Sequence, residues 1–541
     1  MNSFAFNIPF ISIFLAMLTA ILTPLIPVKK FANSNKAVLP ERVTCFVVAL
    51  IGVLSAILLF ELNGDEPISF RFMMGHFPAP WGNELRAGPL EAFLALAFSI
   101  SMFLSLTGNL DATAYDVPER RRPFFCVLVN LLMASLLALL YTNDLFTAYV
   151  FIEINTIASC AIVTVKRGGK SVRAALRYLV LSMAGSGLIL ISICILYDVT
   201  GHLLMEPMHF AIINLIKNSQ YINPLTVALY LMTVGLAVKS ALYPFASWLH
   251  DAHGSATNAS SSILSGLVLK GHIFLIIKIF CRVFGIDIIH LLRMDTQLLI
   301  FGLLGMIMGS VHAIGQTEAK EMVAWSSVAQ VGYIFLGIGL NTNAGIAAAC
   351  LHVTIHAMIK PMLFTSVGGL SAAAHHKKGL HDLMGTFYAN RWAGLGFIAG
   401  ACSMMGIPTF AGFASKLSLT MAAFESRAII WALAALAASS VLNALYYVPA
   451  MVVILTPAKN NNSPASVQNG TPPTSNEATS PYKGGENLSP LKGEISGTDR
   501  GVTPVSLSFK LSMSAFLALN FILGLLFMPI LRMLERGVSV L

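Results

Sequence analysis

Apolar runs of bilayer-crossing length recur along nearly the whole chain, with short polar stretches between them. A helix needs about 20 predominantly apolar residues to cross a bilayer. Fourteen segments of the 541-residue chain meet that need: 8–27, 42–60, 89–108, 124–141, 144–165, 174–197, 224–248, 261–283, 297–315, 320–340, 343–372, 392–424, 428–456 and 508–533. Runs of this length without period-2 alternation exclude a strand barrel. The pattern predicts an all-α integral membrane protein of about fourteen transmembrane helices. The first run has no basic flank and no cleavage site, so it reads as a retained span rather than a signal peptide.

Two spans carry breakers. The seventh, LAVKSALYPFASWLH, holds Pro244 near its end, and the twelfth, MMGIPTFAGFASK, holds Gly406, Pro408 and Gly412. Proline removes a backbone donor and interrupts a helix. Prolines also kink helices for packing alone. Breaks five spans apart suggest two five-span repeats, spans 4–8 and 9–13, and paired breaks in repeats often mark a transport path. The expected organisation is three N-terminal spans over 1–123, a first repeat over 124–283, a second over 297–456, and a last span over 508–541. Between the last two, residues 457–507 are rich in Asn, Ser, Pro, Thr and Gly. Such a stretch cannot bury enough apolar area to offset its ordering entropy, so it reads as a disordered cytoplasmic linker.

Composition agrees. Apolar residues make up 56% of the chain and charged residues 11%, against roughly 25% charged in soluble proteins. The net charge of +9 belongs to the loops of a membrane protein, and no soluble basic domain is present to bind nucleic acid. Lys29, Lys30 and Lys36, Arg120 to Arg122, Lys166, Arg167, Lys170 and Arg173, and Lys377, Lys378 and Arg391 fall on one side. The positive-inside rule makes that side cytoplasmic and, with fourteen spans, puts both termini outside a cell inner membrane. Seven cysteines lie in apolar segments without a CxxC, which argues against clusters, structural zinc and disulfides. No cofactor or metal is expected.

Against this background, ionisable residues within spans stand out, because each costs roughly 2.5–3.5 kcal/mol at a helix centre. Glu153 lies mid-span in TAYVFIEINTIASC, and Lys239 lies before the seventh-span break. Burial drives a lysine toward neutrality and a nearby carboxylate opposes that, so a lysine between the two can load and release a proton. A static ion pair is the alternative. Lys270, with His272 beside it, lies well inside the eighth span, whereas Lys278 near its other end reads as a snorkelling residue. His352, His356 and Lys360 form one stripe at i, i+4, i+8. HxxxH without further ligands argues against zinc. His356 is the preferred proton carrier, and His352 could be packing. His312 is balanced between packing and relay, and Lys320 between snorkelling and relay. Lys416 follows the twelfth-span break. A mixed series of Lys and His with one deep Glu suits protons better than a bulk ion.

The segment LAVKSALYPFASWLHDAHGSATNASSSILSGLVLKGHIF, with FIEINTIAS, TEAKEMVAWSSVAQVGY, HVTIHAMIKPMLF and GIPTFAGFASK, resembles the proton-translocating antiporter-like subunits. That family includes subunits of Mrp-type sodium/proton antiporters, of respiratory complex I and of membrane-bound hydrogenases. The matches run in family order over about residues 90–425. The resemblance implies a fourteen-helix fold with two inverted five-helix repeats, a lateral proton path through the membrane middle, Glu153 and Lys239 as its essential pair, Lys270 as its central lysine, His356 as its bridging histidine and Lys416 as its terminal lysine. His253, in the same signature, joins His312, Lys320, His352 and Lys360 as secondary relay candidates. The family usually reads WLPDAH with a later proline, whereas His250 and Asn258 stand here. The chain ends soon after span 14, without the long lateral helix of the largest members, which makes it most similar to the D-type Mrp subunit or its hydrogenase-arm counterpart. The implied function is proton translocation within a multisubunit cation (Na+)/proton antiporter, with other membrane subunits as partners and protons and Na+ as candidate cargo. A pumping subunit of a redox-driven complex is the alternative, in which any redox chemistry belongs to partners. A non-pumping structural or substrate-coupling subunit is a third.

Overall fold

The structure, a computed structural model, describes residues 3–28, 30–31, 34–64, 67–77, 83–166, 168–457 and 505–541. Most of the expected linker 457–507 therefore lies outside the described residues. The first helices are α1 (Ser3–Leu22), α2 (Leu39–Leu62), α3 (Pro89–Gly108), α4 (Arg122–Tyr141), α5 (Leu145–Thr164) and α6 (Gly169–Thr200). The seventh span divides into α7 (Ile222–Lys239) and α8 (Ser247–Ser255). The eighth is α9 (Asn258–Phe284), which holds two widened π-helical turns at Leu264–Val268 and Phe280–Phe284. There follow α10 (Met294–Ile314), α11 (Ala319–Gly339) and α12 (Asn343–Ala373). The twelfth span divides into α13 (Arg391–Met405) and α14 (Ala411–Phe424). The last helices are α15 (Ile429–Leu455), α16 (Leu507–Leu525) and α17 (Phe527–Ser539). Among the described residues, thirteen helices are long and apolar enough to cross a membrane. The broken pair α13 and α14, of 15 and 14 residues, makes up the fourteenth expected span.

Two boundaries differ from expectation. The seventh-span helix ends at Lys239, not at Pro244 five residues on. Proline disfavours helical geometry in the residue before it and lacks the donor that would continue the ladder. Here the turn starts earlier, with Ala241 in the left-handed region at φ 54°. The last span stops at Leu525, and α17 begins anew with Pro529 in its first turn and carries Arg532, Glu535 and Arg536. Loop 61–88 also contains an antiparallel ribbon, Phe70–Met73 against Glu84–Ala87, which the apolar pattern gives no sign of.

Three helices, α9, α11 and α12, are enclosed by protein on all sides along their most apolar stretches. They carry most of the expected ionisable residues. α12 packs against α3, α9, α11, α13, α14, α16 and α17. A glycine makes its crossing with α9 possible: a Cβ on Gly266 would lie 2.4 Å from Pro361 Cγ. That contact sets Lys270, one turn on, close to Lys360, the residue before Pro361.

The twelfth-span break also rests on glycine. Gly406 closes α13 at φ 89°, and its N–H and that of Ile407 cap the Cys402 carbonyl at 3.1 and 3.0 Å. This is the helix end that glycine favours, and Pro408 cannot continue it. Gly412 then lets α14 lie on α13, since a Cβ there would be 1.7 Å from Ser403 O. Gly412→Ala is expected to lower the melting temperature in detergent, at or above the upper end of the ~1–3 kcal/mol typical of overpacking. Gly187→Ala, whose Cβ meets nothing within 4 Å, should leave it unchanged or raise it. Equal melting curves for the two variants would contradict the close approach.

Candidate functional site: a buried axis of lysines and histidines

The axis begins on α5. Asp144 caps this helix by accepting from the Thr147 N–H at 2.6 Å, and Glu153 follows two turns later. Ser186 of α6 donates to Glu153 Oε1. Lys239 Nζ stands 3.8 Å from the same oxygen and donates to Thr156 Oγ1 at 2.7 Å. Glu153 and Thr156 are one turn apart, so one face of α5 presents both a charge and a hydroxyl to the lysine. The Lys239 side chain is 1% exposed and that of Glu153 is 20% exposed. The carboxylate thus keeps some contact with its surroundings while the lysine keeps none.

Helix breaks leave carbonyls without partners, and inside a membrane these must be satisfied by protein. At the end of α7, Trp248 Nε1 donates to Val238 O at 3.1 Å, its ring stacked on Tyr178 at 4.0 Å. His250, in the place of the family's proline, continues α8. It stacks on Trp325 at 5.1 Å, and its Nε2 lies 3.1 Å from Asp251, which Arg177 also contacts at 2.5 Å. Asn258 opens α9 behind the Thr257 cap. Helical geometry therefore replaces both expected prolines without a break.

Lys270 is fully buried and donates to Ser265 O inside the first π-turn. Lys360, also fully buried, donates to Val323 O at 3.1 Å and to Ser326 Oγ. Lys270, Lys360 and His356 lie within electrostatic reach of one another. Both ring nitrogens of His356 are buried without a hydrogen-bond partner among the described residues, as are those of His253 and His272. His352 and His356 have rings 6.2 Å apart, and His352 Nδ1 is 2.9 Å from Ser415 Oγ. Lys416, next to that serine, donates to Met405 O at 2.9 Å and to Ser440 Oγ at 3.1 Å.

The structure thus brings Glu153 to Lys239, Lys270 to His356 and Lys360, and His352 to the Lys416 region. Lys320 does not extend to the membrane surface. It is buried and donates to Ala256 O at 2.5 Å, just past the end of α8. His253 packs on Phe364 with ring centroids 4.8 Å apart. Among the described residues, His312 is not joined to the axis by a hydrogen bond. Its Nδ1 is 2.7 Å from the Met308 carbonyl of its own helix, and its ring lies on Trp325 at 4.4 Å. Among the described residues, no group of His, Cys, Asp or Glu has an arrangement that could hold a metal ion.

Lys278 overturns the snorkelling expectation. It is fully buried and donates to three carbonyls where α4 ends: Leu139 at 3.1 Å, Leu140 at 3.0 Å and Thr142. A cation at a helix C-terminus is favourable and satisfies acceptors that have no helical donor. Nothing local in the sequence reveals this, because the carbonyls belong to another helix. His272, which lies within reach of Lys239, was visible as a polar residue in an apolar run but had no assigned neighbour.

A multi-pass helical membrane protein with a buried line of lysines and histidines, opened by one Glu–Lys pair and flanked by two broken helices, belongs to the class of membrane ion-transport subunits. A profile of the NADH:quinone oxidoreductase/Mrp antiporter transmembrane family matches residues 142–442, and the chain belongs to that family. The NADH-quinone oxidoreductase subunit N of Desulforudis audaxviator is 31% identical over 382 residues, covering 70% of this chain and 74% of that protein. The D-type Na(+)/H(+) antiporter subunit of Alkalihalophilus pseudofirmus is 28% identical over 369 residues, 67% of this chain and 72% of its own length. A chain of the Mrp complex from Dietzia sp. has the same fold, with a TM-score of 0.80 at 21% identity over 99% of this chain and 97% of that one. A chain of the membrane-bound sulfane sulfur reductase, an archaeal respiratory membrane complex, has a TM-score of 0.80 at 22% identity, covering 98% and 97%.

If Lys278 is a structural cap, Lys278→Met should destabilise the protein by about 1–3 kcal/mol by stranding buried carbonyls. Proton transport per assembled complex should stay near wild type. A selective loss of transport at unchanged thermal stability would instead place Lys278 in the path.

Proposed function

We propose that this chain is the proton-translocating subunit of a multisubunit cation/proton antiporter of the inner membrane, with both termini outside. Glu153 biases the charge on Lys239, and protons pass by way of Lys270, His356 and Lys360 to Lys416. Lys320, His253 and His352 line or feed this route, and His312 takes a lesser part. The observation that carries the reading is the Glu153–Lys239 approach of 3.8 Å at the point where α7 breaks. A buried lysine whose anionic neighbour stands beyond hydrogen-bond range changes protonation with small movements of either group. The unpaired ring nitrogens of His253, His272 and His356 support the same reading, since buried polar groups of this kind are served by water in a hydrated path. The matching breaks in the seventh and twelfth spans support a two-repeat architecture.

A second reading has its own support. The relative at 31% identity is named as a quinone oxidoreductase subunit, and a redox-driven complex would use the same internal route. In either case the partners are other membrane subunits, and Na+ is exchanged only in the first. Mass spectrometry of subunits that co-purify from native membranes in mild detergent separates them. Small hydrophobic subunits alone fit the antiporter, and partners carrying clusters, nickel or flavin fit the redox pump.

Glu153→Gln and Lys239→Ala are expected to abolish coupled proton transport in vesicles containing the native complex while leaving its assembly intact. Wild-type transport by either variant would remove the pair from the mechanism.

A further inference from the structure

Helix α8 carries His250 and, one turn on, His253. Residues three apart on a helix are neighbours on its surface. The two rings have opposite surroundings. The His250 side chain is 25% exposed, with Nε2 3.1 Å from Asp251 Oδ1, while its Nδ1 is buried. Asp251 also takes Arg177 of α6 at 2.5 Å, and the Arg177 and Asp251 side chains are 50% and 33% exposed. Charges left this open belong to water rather than to hydrocarbon. Lys378 reaches the Gly254 carbonyl of α8 at 3.5 Å, so this rim is level with the basic loop that the positive-inside rule makes cytoplasmic. His253 is wholly buried, and neither of its ring nitrogens has a hydrogen-bond partner among the described residues.

Helix α11 relates this rim to the axis. Trp325 stacks on His250 with ring centroids 5.1 Å apart, and the next residue, Ser326, accepts from Lys360. Val323 O, two residues before Trp325, accepts from Lys360 as well, at 3.1 Å. His250 and Lys360 therefore meet α11 at one level, from two sides. His253 stands between them. Its ring lies on Phe364 at 4.8 Å, and Phe364 is one turn from Lys360 on α12. The succession from water is thus Asp251 with His250, then His253, then Lys360, and single waters bridge intervals of this kind.

We propose that His250, which stands in the place of the family's proline, is the port through which the axis exchanges protons with cytoplasmic water, and that His253 is the step from it to Lys360. This deepens the proton-relay reading and rests on it. An imidazole with one nitrogen at water and the other inside has the form such a port needs. Nε2 takes a proton from water, and the imidazolium gives the proton on Nδ1 to a water that leads to His253. A half-turn of the ring on the indole face then restores the starting tautomer, and protons leave by the reverse order. The titratable and charged groups that face His250 are Asp251 and His253 on its own helix, Arg177 from α6, Glu321 and Lys320 from α11 against the end of α8, and His312 from α10, whose ring lies on the same indole at 4.4 Å. Arg177 already engages Asp251, so the carboxylate draws a proton toward Nε2 without an exclusive claim on it.

The test is the rate of proton transport per assembled native complex in membrane vesicles, with and without added imidazole. His250→Phe keeps a ring against Trp325 and removes both nitrogens. His250→Gln keeps a polar side chain at the rim and cannot titrate. Each variant should slow transport by at least about tenfold, because bare water is a poorer carrier than a group that titrates near neutral pH. Imidazole, a diffusible carrier of the same chemistry, should restore most of the lost rate in both and leave wild type unchanged. A wild-type rate in either variant overturns the port. A loss that imidazole does not restore also overturns it, since His250 then acts only by packing on Trp325. Glu153→Gln is measured alongside and should stay inactive with imidazole. If it transports normally, the relay reading falls and the port falls with it. If Glu153→Gln is inactive and the His250 variants match wild type, the port alone falls.

Discussion

Inside hydrocarbon a polar group must find its partner within the protein, and that constraint organises this molecule. Five buried lysines meet it by donating to main-chain carbonyls. Lys270 uses the Ser265 carbonyl of a π-turn, Lys278 the end of α4, Lys320 the Ala256 carbonyl beyond α8, Lys360 the Val323 carbonyl and Lys416 the end of α13. Among the described residues, Lys239 alone of the lysines on the axis has a carboxylate within ion-pair distance. A carbonyl dipole steadies an ammonium less than a full negative charge does. It therefore holds the side chain in place without fixing its charge.

Helix ends and irregularities supply four of those carbonyls, while the fifth, that of Val323, lies within the regular α11. Proline and glycine end the ladder, the ladder's last acceptors are left open, and a cation or an indole closes them. Glycine at 266 and 412 then brings the broken elements near enough for the closing groups to reach. The three wholly enclosed helices hold the middle of the axis, and the half-helices of the seventh and twelfth spans hold its ends.

The spans were legible because bilayer thickness imposes a length on apolar runs, and Glu153 and Lys239 because a charge amid such a run is costly. The stripe His352, His356 and Lys360 followed from helical period alone. Three features were not legible. Lys278 lies near a span end, where a snorkelling lysine and one that caps a distant helix look the same. The end of α7 at Lys239 depends on turn geometry upstream of Pro244. The hydroxyls of α15 carry no charge and are common in helices. Their one signal is that Ser439, Asn443, Tyr446 and Tyr447 share a buried face, and the pairing of that face with Tyr333 and Ser326 is tertiary.

The two breaks close their open carbonyls with different groups. At the seventh span the closing donor is the Trp248 indole, which does not titrate, so that joint keeps its shape whatever the local proton occupancy. At the twelfth span it is Lys416, reaching from α14 back to the last carbonyl of α13. There the same nitrogen that carries the charge also fastens two half-helices together. A neutral amine donates more weakly to that carbonyl than an ammonium does, so the strength of this fastening depends on the charge of Lys416. The protein thus has a rigid elbow at one end of its axis and, at the other, one whose compliance follows its charge.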